Sequence, residues 1–202
     1  MTTAATAATA AANDDTSSDH YRRLLEGMAR AVAEKGYADV TIADIVREAA
    51  VSRRTFYEHF SGKQECLIAL YTAASRGTLD VLRAALDPAL AWNVQVEKSI
   101  GAYFACLARN PPLLRTLFVE ILGLGPVGLA ARRRINEQIA TFIGDIVNSD
   151  PRRAGTRPLT PELAMAIVGG INELILQAIE QGQVDRIGEL ALPAIALVKA
   201  LT

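Results

Sequence analysis

The chain has little with which to do covalent chemistry. It holds two histidines and two cysteines in 202 residues, and no HExxH, P-loop, GxSxG or cysteine–histidine metal spacing occurs in it. No nucleophile, base and orienting group stand together, so neither an enzyme nor a cofactor or metal site is expected. Cys66 and Cys106 are too few and too separated for a disulfide framework; both fall in apolar helical contexts and read as small buried hydrophobes. Aromatic residues make up 5% of the chain although 50% of it is hydrophobic. Ala and Leu fill the gap, which favours packed helices over sheets. No apolar run reaches the roughly 18 residues of a membrane span. Residues 1–12 are rich in Thr and Ala but lack the basic start and long apolar block of a signal peptide. A cytoplasmic protein is the expectation. The net charge of -1 is not that of a general nucleic-acid binder, so any DNA binding has to come from a local patch.

Such a patch lies between Thr41 and Cys66. Ile42, Ile45, Val46 and Ala49 follow i, i+3, i+4, i+7 and line one face of a short helix. Phe56 and Phe60 form an i, i+4 apolar pair on a second helix that begins near Ser52. Only Ala50 and Val51 separate the two. Thr41 and Ser52 are N-cap residues, each with a hydroxyl able to accept an orphan amide hydrogen bond. Two short helices across so tight a break make a helix-turn-helix, whose second helix enters the DNA major groove. The first turn of that helix carries Ser52, Arg53, Arg54 and Thr55, followed by Tyr57 and His59, groups suited to phosphate and base-edge contacts. Arg53 or Arg54 can make a bidentate contact to guanine. Thr41 can cap its helix and touch a phosphate. Lys63, an ammonium at the start of the next helix, makes an anion site with that helix terminus. Glu58 is repelled by phosphates and should point away or accept from a cytosine amino group. His59 stands between a backbone contact and a packing role.

These residues also carry a resemblance. Gly36-Tyr37, Thr41-Ile42-Ala43-Asp44-Ile45, Ala49-Ala50-Val51-Ser52, Thr55-Phe56-Tyr57-Glu58-His59-Phe60 and Lys63-Gln64-Glu65-Cys66-Leu67 resemble the DNA-binding head of the tetracycline-repressor (TetR) type of bacterial transcriptional regulator. The pattern covers about a quarter of the chain; the remainder is similar only in being helical and of ordinary length. The resemblance implies that residues after Ser52 meet bases and backbone, and that Tyr57 and Lys63 meet phosphates. One departure stands in the turn, where the family usually has Gly and this chain has Ala50. A left-handed conformation there would cost Ala on the order of 1 kcal/mol.

Along the chain, residues 1–16 are low in complexity and expected as a disordered tail. A helix is expected from about Ser17 to Lys35, with Leu24, Leu25, Met28, Ala31 and Val32 as its apolar stripe and Gly36 as its stop. The DNA-binding domain is then 17–65, and an effector-binding and dimerisation domain fills 66–202. There, Lys63 opens a helix to about Leu86, and others cover about Trp92 to Arg109, Pro112 to Leu122, Leu129 to Asn148, Pro161 to Gln181 and Arg186 to Leu201. Residues 123–128 read as a Gly/Pro hinge and 150–158 as a loop. No repeat and no clear strand occurs, so the fold class is all-α, about nine helices.

In the second domain Tyr103, Phe104, Leu107, Phe118, Leu122, Ile139, Phe142 and Ile171 come from four helices whose apolar faces could converge on one cavity, with Glu120, Asn136 and Asn172 as its few orienting polar groups. The alternative is a filled core. Glu120, in an apolar run, needs a partner such as Arg115 or Arg134, or a ligand. Arg132, Arg133 and Arg134 read as a solvated helix face. Leu163, Ile167, Ile171, Leu174 and Ala178 form a stripe longer than one body needs, and Gly170 beside it would allow close helix approach at a dimer seam.

The expectation is a homodimeric, ligand-responsive repressor. It would bind double-stranded DNA at a near-palindromic operator and be released by an apolar or amphipathic small molecule, not a sugar phosphate or nucleotide. The rival from another class is a helical small-molecule-binding or protein-interaction module that has lost DNA binding; intact Arg53, Arg54, Tyr57 and Lys63 argue against it.

Overall fold

The computed structural model describes residues 3–151 and 157–202, and among them it holds nine α-helices and no strand. They are α1 (Thr3–Lys35), α2 (Ile42–Ala49), α3 (Arg53–His59), α4 (Lys63–Ala85), α5 (Trp92–Ala108), α6 (Pro111–Arg115), α7 (Pro126–Ser149), α8 (Pro161–Glu180) and α9 (Ala191–Leu201). The chain divides into two compact units, a head (Met1–Tyr71) and a body (Thr72–Thr202).

The helix starts follow from caps visible in the sequence. The Thr41, Ser52, Asn110 and Thr160 side chains each accept from the backbone amide three residues on, and Pro111, Pro126 and Pro161 occupy first-turn positions where their missing N–H costs nothing. Several boundaries differ from expectation. α1 begins at Thr3, ahead of the expected start near Ser17, and takes in most of the stretch expected as a disordered tail; that stretch is rich in Ala, the best helix former, and no Gly or Pro interrupts it. The last expected helix opens as a 3₁₀ segment (Val184–Leu190) and becomes α-helical only at Ala191. The expected 150–158 loop lies largely outside the described residues.

The head closes around Leu24, Met28, Ile45, Phe56, Cys66 and Leu67, all fully buried. α1 and α2 approach closely at Gly27, where a Cβ would stand 2.7 Å from the Ile45 carbonyl oxygen and 2.8 Å from the Ala49 nitrogen. Burial pushes the Cys66 thiol up to about 12, so this cysteine is inert packing. The body closes around Phe104, Leu114, Ile167, Ile175, Ile187 and Ala194.

Of the expected hinge at 123–128, the end at Gly128 is tightly packed. A π-helical turn (Thr116–Glu120) and a 3₁₀ turn (Leu122–Leu124) precede it, Gly125 takes φ 61, and a Cβ on Gly128 would lie 1.9 Å from the Ile121 carbonyl oxygen. At Gly128 the missing side chain allows close backbone approach, while at Gly123 and Gly125 a Cβ would meet nothing within 4 Å.

α8 is, by length and composition alone, long and apolar enough to cross a membrane, contrary to the reading that no segment is. It is the core helix of the body, with Ile167 and Ile175 fully buried. That burial also bears on the expected dimer stripe. Ile167, Ile171 and Ala178 face the body's own core, and a Cβ on Gly170 would meet Leu197 of α9 in the same chain at 2.9 Å. Leu163 and Leu174 are half-buried. Ile167 thus has no surface left to offer a second subunit, while Leu163, Gly170 and Leu174 keep part of theirs.

Candidate DNA-binding surface and effector cavity

The helix-turn-helix is held by specific hydrogen bonds at each end of α2. At its start Thr41 and Asp44 form a reciprocal capping box: the Thr41 Oγ1 accepts from the Asp44 amide at 3.2 Å, and the Asp44 carboxylate accepts from the Thr41 amide at 3.0 Å. Asp44 also accepts from Lys35 at 2.7 Å and Arg47 at 3.1 Å. The Lys35 ammonium, then the Thr41 hydroxyl and amide, hold this carboxyl far below the usual carboxylate range. The single Thr41 proton goes to Asp44 at 2.7 Å, so the expected phosphate contact from Thr41 requires that bond to break.

At its end α2 finishes in a Schellman motif. The Val51 amide donates to the Val46 carbonyl at 3.1 Å and the Ala50 amide to the Arg47 carbonyl at 3.2 Å, with Ala50 left-handed at φ 51, ψ 47. The turn therefore takes the shape usual for Gly despite its Ala. Guanidinium groups from α1 cover the carbonyls there: Arg23 donates to Ala49 at 3.0 Å and Ala50 at 2.5 Å, and Arg30 to Glu48. Cations at a helix C-terminus complement its partial negative charge. These long-range contacts offset the strain at Ala50.

α3 presents Arg53, Arg54 and Tyr57 outward. Arg53 is exposed, the Arg54 side chain is 90% exposed and Tyr57 is 59% exposed, while Phe56 beneath them is fully buried. Ser52 accepts from the Thr55 amide at 3.0 Å, and the two hydroxyls lie 2.9 Å apart. Glu58 pairs with Arg54 across one helical turn at 3.1 Å, a partner the sequence reading had not assigned it. The His59 ring sits edge-on to Tyr21, with centroids 5.9 Å apart, which favours the packing role.

Lys63 is engaged elsewhere. Its ammonium donates to the carbonyls of Tyr37 at 3.1 Å, Ala38 at 3.1 Å and Val40 at 2.8 Å, and lies 4.7 Å from the Tyr37 ring centroid. An ammonium has three donors, and all three bind the loop between α1 and α2. The expected phosphate contact from Lys63 is not open to it in this geometry.

In the body, a cavity of about 80 Å³ is walled by α4, α5, α7, α8 and α9. Of the expected lining, Tyr103, Ile139, Phe142, Ile171 and Asn172 are in it. Asn136 contributes only by accepting from the Asn172 amide at 3.2 Å. Phe104 and Leu107 instead fill the core; Phe104 lies one residue, hence about 100°, around the helix from Tyr103. Phe118, Glu120 and Leu122 are also outside the lining, because they belong to the π and 3₁₀ turns, where the α-helical register is lost. Glu120 accepts from Arg115 at 3.2 Å, one of the partners that the sequence offered. The sequence reading missed the first half of α5: Trp92, Val96 and Ile100 line the cavity with Tyr103. Their i, i+4, i+8, i+11 spacing was the available signal.

A second, open cleft of about 590 Å³ runs beside it, bordered by Arg76, Asp80, Arg83, Arg134, Glu137 and Asp145. Phe142 lines both spaces. The Arg83 guanidinium sits 5.4 Å from the Phe142 ring centroid and pairs with Asp80 at 3.1 Å. Arg134, read as part of a solvated face, borders this cleft.

A family model of tetR-family bacterial regulatory proteins matches residues 24–70. An uncharacterised HTH-type transcriptional regulator of Bacillus subtilis, YxbF, is 32% identical over 81 residues, covering 40% of this chain and 21% of that one. The fatty acid metabolism regulator protein of Bacillus subtilis is 23% identical over 123 residues, 61% of this chain and 62% of its own length. The chain thus spans less than two thirds of these curated relatives. Among solved structures, the fatty acid degradation regulator FadR of Bacillus halodurans is similar with a TM-score of 0.78 at 16% identity, covering 89% of this chain and 94% of that one. FadR of Bacillus subtilis in complex with stearoyl-CoA is similar with a TM-score of 0.76 at 17% identity, covering 88% and 97%. At such identities these two likenesses are of fold. The residues matched by the family model are those that build the capped helix-turn-helix, and over that head the chain is similar to the tetR family of bacterial regulatory proteins.

Proposed function

We propose that this protein is an effector-responsive transcriptional repressor that binds a near-palindromic operator as a homodimer and is released by a small molecule with an apolar chain and a polar head. The observation that carries the DNA-binding half is the outward set of Arg53, Arg54 and Tyr57 on a helix locked at its start by Ser52 and beneath by Phe56. Arg53 and Arg54 read guanine edges; Tyr57, Ser52 and Thr55 meet the backbone. Symmetry then sets two half-sites one helical turn, or a multiple, apart.

The effector class is supported by the two spaces that share Phe142. An apolar chain fits the inner cavity and a polar head the outer cleft, whose three Arg and three acidic side chains offer both signs of charge. A relative in fold carrying stearoyl-CoA agrees with an acyl chain joined to a polar head. An 80 Å³ space is well below the roughly 300 Å³ at which ligand pockets begin. The effector must therefore part the helices as it enters, and that movement shifts the population away from DNA-competent dimers. For the dimer, the outward faces of α8 and α9 replace the buried stripe: Ala166, Gly169 and Ala196 are small and exposed, and Leu192 is 76% exposed.

The test is selection of bound DNA from a random pool, followed by titration of the selected operator with wild-type protein and the Arg53→Ala/Arg54→Ala double variant, with and without long-chain acyl-CoA. The expected result is specific binding, lost in the double variant and reversed by acyl-CoA in the wild type but not in Ile139→Trp. Specific binding that survives the double change sinks the recognition assignment. Release by sugar phosphates alone sinks the effector class.

A further inference from the structure

Ser99 lies mid-way along α5, is 7% exposed and lines the inner cavity. Its Oγ is fully buried and has no hydrogen-bond partner among the described residues. Helical serines commonly satisfy such a hydroxyl on the carbonyl a turn earlier; this one does not. The other polar residues on the cavity wall each make an interaction. The Trp92 Nε1 donates to the Thr202 hydroxyl at 3.0 Å, the Asn172 amide donates to Asn136 at 3.2 Å, and Tyr103 also has a partner. A buried polar group left unpaired inside an apolar wall is costly, and native structures rarely keep one without a use.

From this we infer that Ser99 is a specificity-determining residue that selects an effector carrying an oxygen part-way along its apolar chain, a hydroxy- or keto-substituted acyl chain in preference to a plain one. This rests on the reading of the cavity as the effector site. A serine hydroxyl both donates and accepts, so it can satisfy either a ketone or an alcohol. A plain methylene chain in the same place would leave both the hydroxyl and its own surroundings as they are now, with nothing gained at Ser99. An oxygenated chain entering a carbon-lined space must leave water, and Ser99 is the group placed to replace that water.

The experiment uses the full chain, with dodecanoic acid and its monohydroxy and monoketo derivatives, oxygen at each chain position in turn, as probes. Binding is read by tryptophan fluorescence, since Trp92 is part of the wall, and by thermal shift. One oxygenated isomer is expected to bind the wild type about tenfold tighter than the parent acid, the gain of one hydrogen bond in a dry site. That preference should vanish in Ser99→Ala and persist in Ser99→Thr. Without any probe, Ser99→Ala should melt higher than wild type, because it removes an unpaired buried hydroxyl; a hydroxyl with only a structural role would give the opposite sign. Equal binding of plain and oxygenated chains, or a preference that survives Ser99→Ala, overturns the assignment of Ser99 while leaving the cavity as the effector site. Failure of every acid to bind the wild type overturns both.

Discussion

The head and the body are each held together internally, by different means. In the head the decisive contacts are directional and run from long side chains to backbone oxygens: Lys63 on three loop carbonyls, Arg23 and Arg30 on the end of α2, and Asp44 inside its capping box. In the body the contacts are overwhelmingly apolar and helix-on-helix, and they leave a void with an unpaired hydroxyl in its wall. Directional bonds specify one geometry, which a surface that must match DNA requires. Apolar packing with fewer directional bonds tolerates rearrangement at modest cost, which suits a region that under the proposed function opens for an effector.

The largest test of this contrast is Gly27→Ala. Its Cβ would run into backbone atoms of α2, which cannot swing aside as a side chain can. It should destabilise the head by about 3 kcal/mol, seen as loss of DNA binding and an early unfolding phase in calorimetry. The same exchange at Gly101 or Gly144 of the body, where a Cβ meets nothing within 4 Å, should be harmless. If Gly27→Ala is also harmless, the head is not a tightly specified unit.

Lys63→Met comes next. It strips three carbonyls of their donor and should cost about 2 kcal/mol of head stability. It also separates two roles for one residue. A clamp predicts a lower melting temperature with an unchanged salt dependence of operator binding. A phosphate contact predicts an unchanged melting temperature and a shallower salt slope, by about one unit.

Legibility in the sequence divides along the same line. The helix-turn-helix was readable because its signals are local: Thr41 and Ser52 precede their helices, and Ile42, Ile45 and Ala49 repeat at helical spacing. The buried stripe of α1 was readable for the same reason. Gly27 and the Arg23, Arg30 and Lys63 clamps were not, since each joins residues 18 or more apart in the chain and nothing in a local pattern announces the partner. Lys63 was given the role that its position at a helix start suggests, and only the fold shows its donors already spent. In the body the apolar residues are so numerous that periodicity cannot say which face meets a void. Tyr103, Phe142 and Ile171 were chosen with Phe104 and Leu107, and the latter two fill the core. The stripe on α8 is long in part because α8 is the central helix of its own unit.

A subtler probe of the head is acid. The Asp44 carboxyl is held below its ordinary value of 3.8 by Lys35 and Thr41. A depressed carboxyl contributes stability above its unfolded-state value and loses it as pH falls through the folded one. The head should therefore weaken progressively below about pH 4, before the body does, and Asp44→Asn should flatten that acid limb in a chemical denaturation series while lowering stability at neutral pH. An acid limb of unchanged slope in the variant would assign it to other carboxylates.

The smallest effect, of opposite sign, is at Ala50. Glycine carries no penalty in the left-handed region, so Ala50→Gly should stabilise the head by about 0.5–1 kcal/mol, raising its melting temperature without moving that of the body. A neutral result would mean that the Arg23 contacts to Ala49 and Ala50 already remove the strain.

The Arg54–Glu58 pair has a consequence for how the protein would search DNA. Along random sequence, attraction comes from cations that release counterions from phosphates. An arginine already matched by a carboxylate one turn away adds almost nothing to that attraction, and the carboxylate subtracts a little. Under the proposed reading Arg54 is thus silent during sliding and speaks only where a guanine edge offers two acceptors aligned better than Glu58. The internal pair would lower residence on the wrong sequence more than on the right one, so that discrimination between operator and bulk DNA is raised by a contact that DNA itself must displace.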